Sequence, residues 1–297
     1  MSADTVLYDL PGPRARRRAV IGTVIAGLAI LAVLAVVVKR FNDQGQFSME
    51  LWGPLIDPSD ESFEAVWRLI GKGLLATLIA AVLAIVCSLV IGTFLGTMRM
   101  LVGRLQRIPL VVLIELFRGL PVVVTMFYVY TVMQSLDVDL GVLPGDAGLW
   151  YVVIGLTLYN SVILAEILRS GVASLPSGQR EAGLAVGMTP RQTMATVQLP
   201  QAFRTMLPAL ISQLVVVLKD TSLAALLGFY IELLRRGNII AQNLDNPIQM
   251  LFVVGLIFIV MNYALSRLAT YVERRLARRG MKAGDATAIE AGVGGGA

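Results

Sequence analysis

No histidine occurs anywhere in the 297 residues, and cysteine occurs once, at Cys87. Those absences exclude a histidine general base, a Cys/His metal cluster and a disulfide framework by counting alone. Cys87 sits among Val, Leu and Ile and reads as a small buried apolar residue. Charge is scarce too: 15% of residues are charged and 56% hydrophobic, where an ordinary soluble domain carries about a quarter charged. No Gly-x-x-x-x-Gly-Lys-Ser/Thr phosphate loop is present, and Gly71-Lys72-Gly73 is only a basic flank before an apolar run. If ATP drives this protein, another chain binds it. The net charge of +5 is not laid out as a basic stripe interleaved with aromatic residues, so nucleic acid is not an expected partner. No plausible pair of catalytic side chains argues for an enzyme.

What the chain does have is length of apolar sequence. A spanning helix needs about 20 mainly apolar residues. Ala19 to Val38 supplies an uncharged run flanked by Arg14, Arg16, Arg17 and Arg18 before it and Lys39 and Arg40 after it. A secretory signal shares the basic start but has a shorter apolar core and a small-residue cleavage site. This run ends Val-Val-Val-Lys-Arg, and is expected to stay as a helix. Five more spans are expected near Gly73–Thr97, Pro109–Met133, Leu149–Leu168, Met206–Tyr230 and Met250–Tyr271. The fold class is therefore all-α, a polytopic membrane protein of six transmembrane helices. Gly92 and Gly96 in the second span have the spacing that lets helix backbones approach.

Lysine and arginine in short loops set orientation. The N-terminus, the second connection (Arg99, Arg104, Arg107), the fourth connection and the C-terminus (Arg274, Arg275, Arg278, Arg279, Lys282) are basic. The first connection carries Asp43, Glu50, Asp57, Asp60, Glu61 and Glu64 against Arg68; the third carries Asp137, Asp139 and Asp146. The alternation places both termini in the cytoplasm. The fifth connection, with Glu232, Arg235 and Arg236, is mixed. The organisation expected is a cytoplasmic segment 1–18, a first helix with its extracytoplasmic linker 19–72, a five-helix core 73–275 and a disordered tail 276–297.

The fourth connection is the most informative. Gly178 to Val186 carries helix formers after Pro176-Ser177, and Gly187 stands where a helix C-terminus favours a left-handed residue. Thr189-Pro190-Arg191-Gln192 then combines a cap, a proline at the first helical position and a reciprocal capping amide. A second short helix is expected to end at Leu199-Pro200. Two readings fit this hairpin over 178–200: a structured loop joining spans, or a docking lever whose small residues Ala182, Gly183 and Ala185 admit a partner, with Glu181 favoured near the helix start.

These residues resemble the permeases of ATP-driven (ABC) importers, which carry Glu-Ala-Ala, a spaced glycine and Ile-x-Leu-Pro in this loop. Here stand Glu181-Ala182-Gly183, Gly187 and Val197-Gln198-Leu199-Pro200, with Gly183 and Val197 departing from the pattern conservatively. Other segments are similar to the polar amino acid branch of those permeases: Glu115-Leu116-Phe117-Arg118-Gly119-Leu120-Pro121, Asn160, Ala165-Glu166-Ile167-Leu168-Arg169, and Leu218-Lys219-Asp220-Thr221-Ser222-Leu223. Leu120 departs where threonine is usual. The likeness covers about residues 70–275, and Val6-Leu7-Tyr8-Asp9 with Pro11-Gly12-Pro13 looks like glutamate-uptake permeases of Gram-positive bacteria. The resemblance implies a type I importer permease fold in the bacterial plasma membrane, with polar amino acids, glutamate or glutamine foremost, as substrate. It further implies a hairpin that couples to an ATP-binding subunit dimer through Glu181, Ala182, Gly183, Gly187, Leu199 and Pro200. A second permease chain, an extracytoplasmic solute-binding protein and membrane lipid complete the partners. No cofactor is implied in this chain; ATP and Mg belong to the partner subunit. A secondary transporter is the alternative, although its paired broken helices have no convincing second copy here.

The candidate substrate contacts are Asn160, Lys219, Asp220, Thr221 and Ser222. Lys219 to Ser222 interrupts the fifth span, between Leu207–Leu218 and Leu223–Ile231, and neither apolar piece spans alone. A charge at membrane depth costs about 2.5–3.5 kcal/mol on insertion scales, so it faces the bundle interior or a wet cavity. Adjacent residues point about 100° apart on a helix, so Lys219 and Asp220 are badly placed to neutralise each other. An amino acid could satisfy both; so could other side chains. Asn160 is open in the same way between substrate contact and a helix bridge, whereas Asn262 reads as packing. Glu166 is expected to pair with Arg169 or a neighbouring helix, and Glu115 with Arg118. Pro121 is expected to bend the third span.

Overall fold

The computed structural model describes residues 12–273, so the tail expected to be disordered and the motif around Tyr8 lie outside the described residues. Every regular element described is helical. In chain order these are α1 (Pro13–Asp43), α2 (Met49–Ile56), α3 (Phe63–Leu101), α4 (Arg104–Gly119), α5 (Val122–Ser135), α6 (Ala147–Ala173), α7 (Ser177–Ala185), α8 (Pro190–Thr193), α9 (Leu199–Asp220), α10 (Ala224–Leu227) and α11 (Leu233–Asn243). The last span, α12, runs over Pro247–Glu273.

Five helical stretches are long and apolar enough to cross a membrane: α1, α3, α6, Pro190–Leu227 and α12. The pair α4 and α5 is bent by 110° across Leu120-Pro121, and counting it as one broken span brings the total to six. The bend anticipated at Pro121 is therefore a full break of the third span. Pro121 lacks an N–H, and both Leu120 and Pro121 adopt extended backbone between the two helices. The 14 residues of α5 rise only about 21 Å at ~1.5 Å each, short of a ~30 Å hydrocarbon core. α5 alone is therefore too short to be the sixth span.

The centre of the bundle is α6, buried along most of its length and packed against α3, α5 and α9. Small residues permit this. A Cβ on Gly92 would lie 2.7 Å from the Ser161 carbonyl oxygen, and one on Gly96 would lie 2.9 Å from that of Ala165. The glycine pair is thus the contact surface of α3 on α6. Gly155 plays the same part toward α5, where a Cβ would come within 2.7 Å of Met126 Cα. Backbone cannot move aside as a flexible side chain can, and overpacking a tight core costs about 1–3 kcal/mol or more. Gly92→Val should accordingly lower the melting temperature of the purified protein and its yield in the membrane. An unchanged melting curve would show that α3 and α6 do not approach this closely. Cys87 is only partly buried in the same helix, less enclosed than its neighbours suggest.

α1 stands apart, burying none of its residues against the rest of the chain. Its apolar surface, including Leu28 and Val33 at more than 60% exposure, is left for lipid or a partner. The connection after it contains α2, a helix that apolar-run counting passes over because it is eight residues long. α2 seats Leu55 in a second core with Ile70, Leu233, Met250 and Val254. Trp52 stacks edge-on against Phe252, and Trp67 Nε1 donates to the Leu55 carbonyl at 3.0 Å.

The mixed fifth connection also turns out to be built. Glu232 caps α11, accepting from the N–H groups of Leu234 and Arg235 at 2.7 Å each, while Thr77 Oγ1 of α3 accepts from Leu233 N at 3.0 Å. Leu233, Gly237, Ile240 and Ala241 form the buried face of α11, a helical spacing legible once the cap is recognised. Burial pushes the Glu232 carboxyl up from 4.5 to about 7, against the pull of its backbone donors. A carboxyl raised in the folded state contributes stability below its ordinary value and loses it as pH rises toward the folded value. The protein should therefore lose thermal stability between pH 4.5 and 7 relative to Glu232→Gln. Parallel melting curves for the two proteins across that range would refute the assignment.

Candidate functional site

The fourth connection folds as the hairpin its capping signals indicate. α7 ends at Gly187, which sits at φ +85°, a conformation a Cβ makes costly. Met188 N donates to the Gly183 carbonyl at 3.1 Å and Gly187 N to that of Leu184 at 3.0 Å, the paired bonds that close a helix C-terminus through a left-handed residue. Thr189 then starts α8 with a reciprocal cap: Gln192 N donates to Thr189 Oγ1 at 3.3 Å, and Thr189 N donates to Gln192 Oε1 at 2.8 Å.

Two details differ from expectation. The second helix does not stop at Leu199-Pro200. It continues through a π-helical segment, Met194–Gln198, into α9. Pro200 cannot donate into the preceding turn, and the widened segment just before it absorbs the missing bond. Side chains take up exposed carbonyls there, Thr196 Oγ1 donating to Gln192 O at 2.7 Å and Gln201 Nε2 to Val197 O at 2.9 Å. The hairpin is thus joined without a break to the fifth span. The second difference is Gly183, which points inward: a Cβ there would lie 2.6 Å from Thr193 Cγ2. Its smallness closes the hairpin on itself instead of offering a seat to a partner. Glu181, Ala182, Ala185, Gly187 and Pro200 are exposed, and Leu199 is partly covered. Gln201 Nε2 also donates to Gln179 Oε1 at 3.1 Å, tying α7 to α9.

Behind the hairpin, Glu166 near the end of α6 accepts from Arg99 of α3 at 2.8 Å and from Arg169 at 2.6 Å. Both expected kinds of partner are present at once. Glu115 and Arg118 pair at 3.1 Å on α4, each about half exposed, where such a pair contributes little.

The polar residues of the spans fall into two places. Asn160 is fully buried; its Nδ2 donates to Leu156 O at 2.9 Å and its Oδ1 accepts from Gln213 Nε2 at 2.7 Å. It forms a bridge from α6 to α9 inside the subunit. Gln213 is a residue that sequence reading missed, although an amide within the apolar run Leu207–Leu218 was a signal for it. The second place is the end of α9. The helix tightens into a 3-10 turn at Thr221–Leu223, resumes as α10 and stops at Gly228, φ +78°. Thr221 is buried and donates to Leu218 O at 2.7 Å, whereas Ser222 Oγ donates to Lys219 O at 2.7 Å. Lys219 is exposed and Asp220 half-buried. Lys219 and Ser222 line a cavity of about 390 Å³ with Phe258, Ile259 and Asn262 of α12; Asn160 does not reach it. Asn262 Nδ2 donates to Phe258 O at 2.6 Å, as packing requires, but its buried Oδ1 has no hydrogen-bond partner among the described residues.

Residues 88–278 match the family described as binding-protein-dependent transport system inner membrane component. A glutamate transport system permease protein, GluD of Corynebacterium glutamicum, is 43% identical over 79% of this chain and 83% of its own length. The glutamine transport system permease protein GlnP of Escherichia coli K12 is 33% identical over 72% of this chain and 97% of its own. A crystal structure of an amino acid ABC transporter with histidines superposes with a TM-score of 0.63 at 28% identity, covering 72% of this chain and 97% of the other.

Proposed function

Because the chain belongs to the inner membrane components of binding-protein-dependent transport systems, we propose that it is the permease subunit of an importer for glutamate, with glutamine as the related substrate. The observation that carries the substrate is the 43% identity to a glutamate transport permease over most of both chains. Two permease chains enclose one pathway, and an extracytoplasmic solute-binding protein delivers the solute. A separate pair of ATP-binding subunits, holding ATP and Mg, docks on residues 178–200. Support for the docking lies in the hairpin itself: it is rigidified by two caps, closed inward at Gly183, and exposes Glu181, Ala182 and Ala185. A stiff lever fused to a spanning helix transmits motion that a loose loop would absorb. Lys219, Asp220, Thr221 and Ser222 are the pathway residues of this reading, and Asn160, first counted among them, holds α6 to α9 through Gln213. Lys219 and Asp220 carry charges that complement a carboxylate and an ammonium, respectively.

In this reading both termini and the hairpin lie in the cytoplasm of a bacterial cell, an orientation supported by the arginines of the alternate loops. Ser177→Cys in a Cys87→Ser background should react with an impermeant maleimide only in inverted vesicles. Val142→Cys, exposed on the opposite connection, should react only from outside.

Reconstitution with its binding protein and ATP-binding subunit should give uptake of labelled glutamate that requires ATP. Uptake sustained by an ion gradient without the ATP-binding subunit would overturn the reading and restore a secondary transporter.

A further inference from the structure

The ends of the spans and the hairpin enclose a cavity of about 510 Å³ that neither the hairpin's outer face nor the residues near Lys219 explain. Its walls carry four guanidinium groups: Arg99 from the end of α3, Arg107 from the first turns of α4, Arg169 from the end of α6 and Arg180 from α7. Glu166 pairs with Arg99 and Arg169. Arg107 and Arg180 have no carboxylate partner among the described residues. Four cations against one carboxylate leave three positive charges converging on one space. Like charges held together repel unless an anion enters between them, and planar guanidinium groups suit phosphate oxygens in particular.

The surroundings identify the source of the phosphate. The cavity lies where α3 and α6 end and α4 begins, which in the orientation proposed above is the cytoplasmic side of the spans. Its remaining wall is partly apolar, with Met100 and Val172 beside the arginines. The neighbouring turn of α4 exposes Leu105 at 82% and Ile108 at 58%, so the ground beside Arg107 is apolar and opens away from the chain. Guanidinium groups around one space, an apolar wall beside them and an apolar approach form an amphipathic site. A free anion in water would need only the first of these. Basic pockets between spans on the cytoplasmic side are suited to anionic lipid headgroups.

We propose that this basic cavity binds the phosphodiester headgroup of an anionic phospholipid from the inner leaflet, lodged between the span ends and the coupling hairpin. Because Arg180 stands on α7 and Arg99 and Arg169 on the spans, the headgroup would bridge the lever to the bundle. The assignment rests on the cytoplasmic placement of the hairpin proposed above. Failure of that placement would appear separately, as maleimide labelling of Ser177→Cys from outside.

The purified importer complex, titrated in detergent and read by native mass spectrometry, tests the site with three probes: dioleoylphosphatidylglycerol, dioleoylphosphatidylcholine and inorganic phosphate. Phosphatidylglycerol should be retained in preference to phosphatidylcholine. Arg107→Gln with Arg180→Gln should weaken its binding about 25-fold, roughly fivefold for each charge removed. Arg104→Gln removes the same charge from the same face but does not line the cavity, and should change binding less than twofold. Should the double variant fail to assemble, Arg107→Gln alone, at an exposed position, should still show the fivefold loss. Equal retention of the two lipids, an equal loss in Arg104→Gln, or binding of inorganic phosphate without phosphatidylglycerol would each overturn the proposal.

Discussion

In Glu181→Lys the permease is expected to insert, fold and bind solute-binding protein as before, while ATP-dependent glutamate uptake falls by at least tenfold. Glu181 is exposed in the middle of α7 and has no ion-pair partner among the described residues, so its replacement removes no contact within the chain. Any loss must then arise at a surface that something else covers. A charge reversal in a desolvated contact costs several kcal/mol through like-charge juxtaposition, and about 1.4 kcal/mol already amounts to tenfold. Gly187→Val tests the same lever by a different route. At φ +85° a β-branched residue is strained, so the closing bonds to Gly183 and Leu184 are expected to break and the hairpin to loosen. Glu181→Lys should weaken co-purification of the ATP-binding subunit. Gly187→Val should preserve more of that association yet uncouple hydrolysis from uptake. Normal solute-stimulated ATPase and normal uptake in both variants would refute docking at this hairpin.

The hairpin was legible in advance because its signals are local. Gly187, Thr189 and Gln192 act within one turn of themselves, and each took the predicted conformation. Signals that depend on tertiary neighbours were less accessible. Gly183 looks in the sequence like one more small residue on an exposed face; only the return of α8 shows that Thr193 occupies the space its Cβ would need. Pro200 looks like a helix stop, but the π-helical segment before it lets the helix continue. Pro121, with extended backbone on both sides of the junction, does break its helix. The same residue type gave opposite outcomes because the local hydrogen-bond register differs. The short helices α2 and α11 escaped a search for spans, since both draw their stability from one shared core around Leu233 and Met250 and neither is long enough to stand alone. The polar residues within the spans were found by their cost in lipid. Their partners were not, as the Asn160–Gln213 bridge joins residues 53 positions apart.

That bridge sharpens what to expect at Lys219. Asn160 has its amide engaged on both sides by its own subunit, so replacing it should disturb packing and reduce transport of every solute together. Lys219 is placed differently: it is exposed, and it shares a cavity with Ser222 and Asn262. It makes no ion pair among the described residues. A solute carboxylate would supply the missing anion, and Asp220 beside it could take the ammonium. Lys219→Met keeps length and helix propensity while removing the cation, so insertion and ATP-binding-subunit association should survive. Hydrogen bonds to charged groups contribute about 1.5–3 kcal/mol, so the loss in glutamate uptake should be roughly 10- to 100-fold. Selectivity distinguishes contact from packing. If Lys219 reads an acidic side chain as well as the backbone carboxylate, glutamate should fall further than glutamine in Lys219→Met, and the ratio should change little in Asn160→Ala. A proportional decline of both substrates in Lys219→Met, measured alongside intact ATPase association, would remove Lys219 from the solute's path.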